Sequence, residues 1–97
     1  MIRHIVFFSA RRKDEVPEIR KRLLALASIP HSTCFEVLEN EKVDPLSDEM
    51  DIVVYGEFDD LAALQAFKAH PTYAETTALV RPMREMRYSV DAVSGRQ

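Results

Sequence analysis

Three histidines and three tyrosines are the residues in this 97-residue sequence whose side chains are best suited to proton transfer. His4 lies in an apolar run, His70 precedes a proline, and His31 follows Pro30 in a predicted surface loop. Because histidine titrates near neutrality, His4 is a candidate acid, base or hydrogen-bond donor to a substrate. The alternative for His4 is a structural hydrogen bond to a neighbour at a cavity edge. For His70, the alternative is a capping role at a helix end.

Tyrosines and arginines provide the other candidate polar contacts. Tyr55, Tyr73 and Tyr88 can each donate a phenolic proton to a bound carbonyl, although tyrosine is also a good core residue with a polar tip. We expect the core role for at least two of them. Arg81 and Arg84 flank Pro82. They can receive an anionic ligand or, as solvated side chains, pair with nearby acids.

The composition argues against several classes of function. The histidines are far apart in sequence and Cys34 is the single cysteine, so we expect no metal site. Gly56 and Gly95 are the only glycines, too few for a phosphate-binding loop, and we expect no cofactor. Thirteen basic against sixteen acidic residues give a net charge of -3, which favours neither nucleic acid nor a polybasic membrane contact.

The sequence predicts one domain over residues 1–97 in a reducing, cytoplasmic setting. The unpaired Cys34 indicates a reducing compartment and a small buried side chain. The opening stretch MIRHIVFFSARR has only about five apolar residues together, too few for a signal sequence or a membrane span.

Apolar periodicity predicts four strands and two helical regions. The first helix has its apolar stripe at Val16, Ile19, Leu23, Leu26 and Ala27. The second has its stripe at Leu61, Leu64 and Phe67, with Asp59 or Asp60 as its cap. Pro71 ends that helix, and the spacing of Thr72 and Glu75 predicts a capping box for another helical turn. The predicted strands are 2–8, 33–40, 52–58 and 83–90; the first helix is 14–28, residues 39–49 form a solvated acidic loop, and 94–97 are frayed.

The resulting β-α-β-β-α-β order is typical of the ferredoxin-like α+β fold, a four-stranded antiparallel sheet with helices on one face. The other face is too apolar to remain in water, and we expect two copies to pack sheet against sheet as a homodimer. A shared cavity between the two sheets would then receive His4. By strand alternation, the residues on this apolar face are Val6, Phe8, Val53, Tyr55, Met86 and Tyr88.

The segments MIRHIVFF, DIVVYGEFDDLAALQAF and KAHPTYAE together resemble the stress-responsive A/B-barrel (Dabb) family over nearly the whole chain. That family opens with a strand containing a histidine and carries a His-Pro segment after its second helix. The resemblance implies a dimeric α/β barrel. Its best-understood activity is a polyketide cyclase in which a tyrosine and the second histidine of an HPxH segment form the acid–base pair.

Here Phe67 and Tyr73 occupy the positions of that pair, while His4 and His70 keep the family's histidines. Whether the protein is an enzyme therefore stays open, because Phe67 has no proton to exchange. One alternative is a cofactor-independent cyclase-, lyase- or monooxygenase-like enzyme with His4 and Tyr73 as catalytic residues. The other is a protein that binds a small apolar carbonyl or phenolic metabolite. The expected ligand-binding residues are Val6, Phe8, Val53, Tyr55, Phe67, His70, Met86 and Tyr88.

Overall fold

The computed structural model describes residues 1–96 and contains four strands and three α-helices. Two short 3-10 helices, Lys13–Glu15 and Leu24–Ser28, extend the first α-helix at its two ends. Within residues 1–96, no helix has the length and apolar character that crossing a membrane requires. The elements in chain order are β1 (Ile2–Ala10), α1 (Val16–Leu23), β2 (Ser32–Glu39), β3 (Ile52–Phe58), α2 (Leu61–Ala69), α3 (Pro71–Val80) and β4 (Arg84–Val93).

All the strands pair antiparallel in one sheet of order β2-β3-β1-β4, with the helices on one face. This is the predicted ferredoxin-like architecture. β4 continues three residues beyond the predicted end, and the Ser94 N–H donates to the Met1 carbonyl at 2.9 Å. The predicted fraying of 94–97 therefore does not apply to Ser94, and Gln97 lies outside the described residues.

The first helical region changes its geometry to keep its apolar residues inward. In α1, Ile19 and Leu23 are buried. Leu26 and Ile29 continue this buried series at three-residue steps. A 3-10 helix has three residues per turn, so the tightened segment after Leu23 holds these side chains on one line. The prediction that Ala27 belongs to the buried stripe is wrong, because the same tightening turns it to solvent.

The register of β1 corrects the predicted assignment of residues to the two faces of the sheet. Val6 and Phe8 are buried under the helices, with Val6 opposite Val54 of β3. Phe7 pairs with Val53 on one side and with Tyr88 on the other, so these residues lie on the open face. Both alternating sets of β1 are apolar, and only the pairing with β3 and β4 decides which set the helices cover.

A single histidine joins α2 and α3. His70 ends α2, and its Nδ1 accepts a hydrogen bond of 3.1 Å from the Thr72 N–H in the first turn of α3. The predicted capping box is wrong because α3 begins at Pro71, which places Thr72 inside the helix. At the other end of α2, Asp60 is the cap and accepts from the Ala63 N–H at 2.8 Å, as predicted. The predicted burial of Leu61 is wrong, since the first residue of α2 faces solvent.

Candidate functional site

A cavity of about 340 Å³ lies between the helix-covered face of the sheet and the helices. Val6 and Phe8 of β1, Leu23 of α1 and Phe67 of α2 contribute apolar walls. Apolar walls with a few polar groups are typical of sites for small organic ligands. The polar residues that line the cavity are His4, Tyr73, Thr77, Arg81, Arg84 and Arg87.

His4 is held in the cavity wall by a carboxylate from the neighbouring strand. His4 of β1 is directly opposite Asp91 of β4, and its Nδ1 lies 2.5 Å from Asp91 Oδ1. Only 2% of His4 is exposed, whereas 36% of the Asp91 side chain is. An ionised carboxylate accepts hydrogen bonds, so it favours the tautomer with the proton on Nδ1 and leaves the Nε2 lone pair free.

Burial keeps this histidine neutral. Removal from water lowers the pKa of His4 below its usual 6.5, and the nearby Asp91 opposes that shift without cancelling it. The positive charges of Lys68 and Arg87 lower the pKa further. A neutral imidazole at pH 7, oriented by a carboxylate, is suited to act as a general base.

Aromatic packing fixes the wall formed by α2 and α3. Phe67 is buried, and its ring contacts Phe58 edge-to-face with the centroids 5.0 Å apart. The ring of Tyr73 packs against Phe67 in a similar way at 5.7 Å. Tyr73 lines the cavity from the first turn of α3, which makes it available as a hydrogen-bond donor to a ligand.

A β-bulge brings two arginines of β4 to the same face. Arg84 is opposite Ala10 and Met86 is opposite Ser9, so Glu85 has no partner in β1. This extra residue reverses the alternation, and Arg84 joins Arg87 in the cavity wall. The hydroxyl of the buried Ser9 accepts from the Met86 N–H at 2.9 Å and satisfies a donor that the bulge frees.

The structure brings together part of the predicted set of site residues. His4, Val6, Phe8, Phe67 and Tyr73 all line the cavity on the helix side. This location differs from the predicted cavity between two sheets, because the even-numbered residues of β1 face the helices. Outside the cavity, His70 joins α2 to α3, and Val53, Tyr55, Met86 and Tyr88 lie on the open face.

Sequence reasoning missed Asp91 and Arg87. A signal for both was present, because Arg87, Ser89 and Asp91 form a polar set that alternates with Tyr88 and Val90. That alternation indicates one polar face on β4. It does not show that His4 lies opposite Asp91, since the two residues are 87 positions apart.

The open face of the sheet combines apolar residues with one polar row. Leu38, Tyr88 and Val90 are among its exposed large apolar side chains. Arg3 donates to the Tyr55 hydroxyl at 2.6 Å, and that hydroxyl donates to Glu57 at 2.5 Å. The bond to Glu57 is the main reason that the pKa of Tyr55 is raised above 10.0.

Residues 1–96 contain no group of three His, Cys, Asp or Glu side chains placed to hold a metal ion.

No curated protein matches the sequence at a significant level. Solved structures do match it.

One of these is a Dabb family protein with a ferredoxin-like fold from Mesorhizobium loti, with 28% identity, a TM-score of 0.75 and coverage of 96% of this chain and 95% of that chain. Another is a dimeric ferredoxin-like protein from Thermobifida fusca, with 24% identity, a TM-score of 0.80 and coverage of 96% and 90%. A hydroxynitrile lyase from Passiflora edulis has 17% identity, a TM-score of 0.79 and coverage of 99% and 94%.

The family comparison covers almost the whole sequence. Residues 2–94 match the Stress responsive A/B Barrel Domain, Dabb. The match includes the His4 strand, the His70-Pro71 corner and the strand that carries Asp91. The chain therefore belongs to the stress-responsive A/B-barrel family.

Proposed function

We propose that this protein is a homodimer that binds a small carbonyl or phenolic metabolite in the helix-side cavity and transfers a proton with His4. The observation that carries the proposal is the buried His4, bonded to Asp91 at 2.5 Å and lining an apolar cavity. A buried titratable group with a perturbed pKa and a specific charge partner, in a cleft, is a physical indication of a catalytic site.

In this proposal, His4 is the general base. Its Nε2 takes a proton from a carbon next to a carbonyl, or from a hydroxyl, and the ring becomes an imidazolium. Asp91 stabilises that cation through the hydrogen bond to Nδ1. Tyr73 donates a hydrogen bond to the carbonyl oxygen as negative charge develops there. The site needs no cofactor for this step.

Proton transfer of this kind fits the cyclase- and lyase-type alternatives. The named activity of the Passiflora relative agrees with a lyase-type reaction, although at 17% identity the similarity shows the fold alone. The acid–base pair of the polyketide cyclase is not assigned to this chain, because Phe67 is buried in an aromatic cluster and has no exchangeable proton. His4 and Tyr73 are the groups that remain.

The first prediction concerns the proposed base. In D₂O, the wild-type protein should accelerate exchange of the methyl protons of 2-acetylnaphthalene, followed by the loss of the methyl signal in proton NMR. His4→Gln should reduce the protein-catalysed rate by about 100-fold or more, the usual contribution of a general base. The exchange rate of Asp91→Asn should lie between those of the wild type and His4→Gln, because the neutral amide stabilises the imidazolium less than the carboxylate does.

Tyr88→Phe is the matched control, since it removes a hydroxyl from the opposite face of the sheet and should leave the rate unchanged. Circular dichroism of each variant checks the fold. A His4→Gln variant that is folded and as fast as the wild type would remove His4 from the mechanism.

Binding without turnover is the second candidate, and the apolar Phe67 favours it. Native mass spectrometry of the isolated protein would then detect a bound small molecule that is released unchanged. Failure of the wild-type protein to accelerate exchange, together with such a ligand, would select this candidate over the enzyme.

The homodimer is supported by the open face of the sheet. Phe7, Val53 and Ile5 form its half-buried centre, and exposed apolar side chains from β2 and β4 surround them. An apolar surface of this kind on a small chain indicates an association site. The Thermobifida fusca relative is described as dimeric, which agrees with pairing between two copies.

The second prediction tests this interface. Val53→Asp should separate the dimer, because burying an unpaired carboxylate in the centre of the face costs several kcal/mol. Light scattering coupled to size exclusion would report a halved mass. Val43→Asp, the same change at an exposed loop position, should remain dimeric. A monomeric wild-type protein would contradict the proposed assembly.

A further inference from the structure

Three arginines converge on the cavity without a carboxylate partner. Arg81 follows α3, and Arg84 and Arg87 lie on β4, and all three line the cavity. Within residues 1–96, none of them has an acidic group within ion-pairing distance, so the predicted pairing of Arg81 and Arg84 with nearby acids is not observed. By contrast, Arg3, Arg12 and Arg22 each form an ion pair with an acidic residue.

The β-bulge at Glu85 places Arg84 on the cavity side of the sheet. Without the bulge at Glu85, strand alternation would direct Arg84 to the open face together with Met86 and Tyr88. The buried Ser9 hydroxyl holds the bulge through the Met86 N–H. Bulges that redirect a side chain are common beside functional sites.

The three charges also oppose one another. Partial burial lowers the pKa of Arg84, and the positive charges of Arg87 and Arg81 lower it further. Arg87 is partly compensated because its guanidinium lies 6.0 Å from the centre of the Phe8 ring. A bound anion would offset the remaining repulsion, and guanidinium groups match the geometry of an oxyanion closely.

We propose that Arg81, Arg84 and Arg87 form an oxyanion clamp, so that the ligand is an amphipathic anion whose charged group binds the clamp and whose apolar body occupies the cavity. The proposal rests on the proposed function and narrows its ligand class to a carboxylate or a phosphate ester. Arg87 and His4 line the same cavity, so the apolar body of an anion held by the clamp would extend into the space that the proposed base also lines.

The third prediction tests the clamp with a matched set of probes: 2-naphthoate, 2-naphthyl phosphate and the neutral 2-naphthamide. Isothermal titration calorimetry should show at least one of the two anions binding about tenfold or more tightly than the amide, as expected for charge-assisted hydrogen bonds. Arg84→Gln and Arg87→Gln should each remove most of that preference while leaving the amide's affinity unchanged. Whichever anion binds more tightly identifies the head group.

Arg12→Gln is the control, because this arginine is on the surface and outside the cavity. Arg84→Lys keeps the positive charge but loses the planar guanidinium, so its affinity for the anion should be intermediate. This variant also provides a folded comparison if Arg84→Gln is unstable. In NMR spectra, the backbone amide signals of β4 and α3 should shift when the anion binds.

The outcomes separate the clamp from the proposed function. Equal affinities for the anions and the amide in the wild type would overturn the clamp and leave the apolar binding cavity intact. Anion preference that survives in both arginine variants would also overturn it. If none of the three probes binds, both proposals are contradicted. Normal anion binding with no effect of His4→Gln on proton exchange would contradict the proposed catalysis and support the clamp.

Discussion

Two buried ionisable sites in this protein differ in how completely they are satisfied. Asp51 is 3% exposed and accepts hydrogen bonds from Lys13 Nζ at 2.7 Å, Lys42 Nζ at 2.6 Å and the Ala10 N–H at 2.8 Å. His4 is as deeply buried, yet within residues 1–96 its side chain makes a single hydrogen bond, to Asp91, and it lines a cavity.

The number of hydrogen bonds at each group distinguishes a site that stabilises the fold from one that is free to contact a ligand. The Asp51 network joins the end of β1, the turn before α1 and the loop between β2 and β3, and its buried carboxylate accepts three hydrogen bonds from the protein itself. Burial alone would raise the pKa of Asp51, but the bonds from Lys13, Lys42 and Ala10 outweigh it and lower the pKa below 3.8. At His4 burial outweighs the charge partner, which leaves a neutral base beside open space. A closed network stabilises; an incomplete one can react.

The fourth prediction compares the two sites by the same substitution. Asp51→Asn should lower the free energy of unfolding by roughly 2 kcal/mol, because the change weakens the charge-assisted bonds of a buried group. For a chain of this size, that loss lowers Tm by roughly 10 °C. Urea titration and thermal melting would measure both quantities.

Asp91→Asn is the matched variant. Its amide oxygen can still accept from His4 Nδ1, and the side chain is partly exposed, so we expect a loss within about 1 kcal/mol. Asp48→Asn, in the exposed loop, should have no effect. A larger stability loss at Asp91 than at Asp51 would reverse the assignment of the two sites.

The fifth and smallest effect is the pH dependence of stability. The pKa of His4 is lowered in the fold, so the unfolded chain takes up this proton first as the pH falls. The contribution of His4 to stability is complete above pH 6.5. It is lost as the pH falls from 6.5 through the lower pKa that His4 has in the folded protein. Asp51, whose pKa is lowered below 3.8, loses its contribution only in more acidic solution.

Unfolding free energies measured from pH 7.5 to 3 should therefore decline in two separate ranges. His4→Gln should flatten the upper range and Asp51→Asn the lower one. If His4→Gln left the decline near pH 6 unchanged, other groups would be responsible for it.

Much of the fold could be predicted from local sequence. Residues 52–58 are mainly β-branched and aromatic, with Gly56 and Glu57 as the exceptions, and β3 spans these residues. Asp60 lies before an apolar helical stripe and caps α2. These signals depend on neighbouring residues, and together they were sufficient for the element order and the ferredoxin-like sheet.

The site was less predictable because it depends on strand pairing. Both faces of β1 are apolar, so alternation could not show that Val6 faces the helices and Phe7 the open side. Asp91 reaches His4 through pairing of the first and last strands. The cap at His70 also depends on where α3 begins, which Pro71 determined more strongly than Thr72 did.

The unpaired Glu85 makes segment length as important as residue identity. Inserting one residue between Ser9 and Ala10 would give Glu85 a partner in β1 and restore regular alternation, so that Arg84 would face the open side of the sheet and no longer the cavity. Relatives with one more residue at this point of β1 should then lack the proposed anion selectivity while keeping the same arginines. Comparing them position by position would overlook the change.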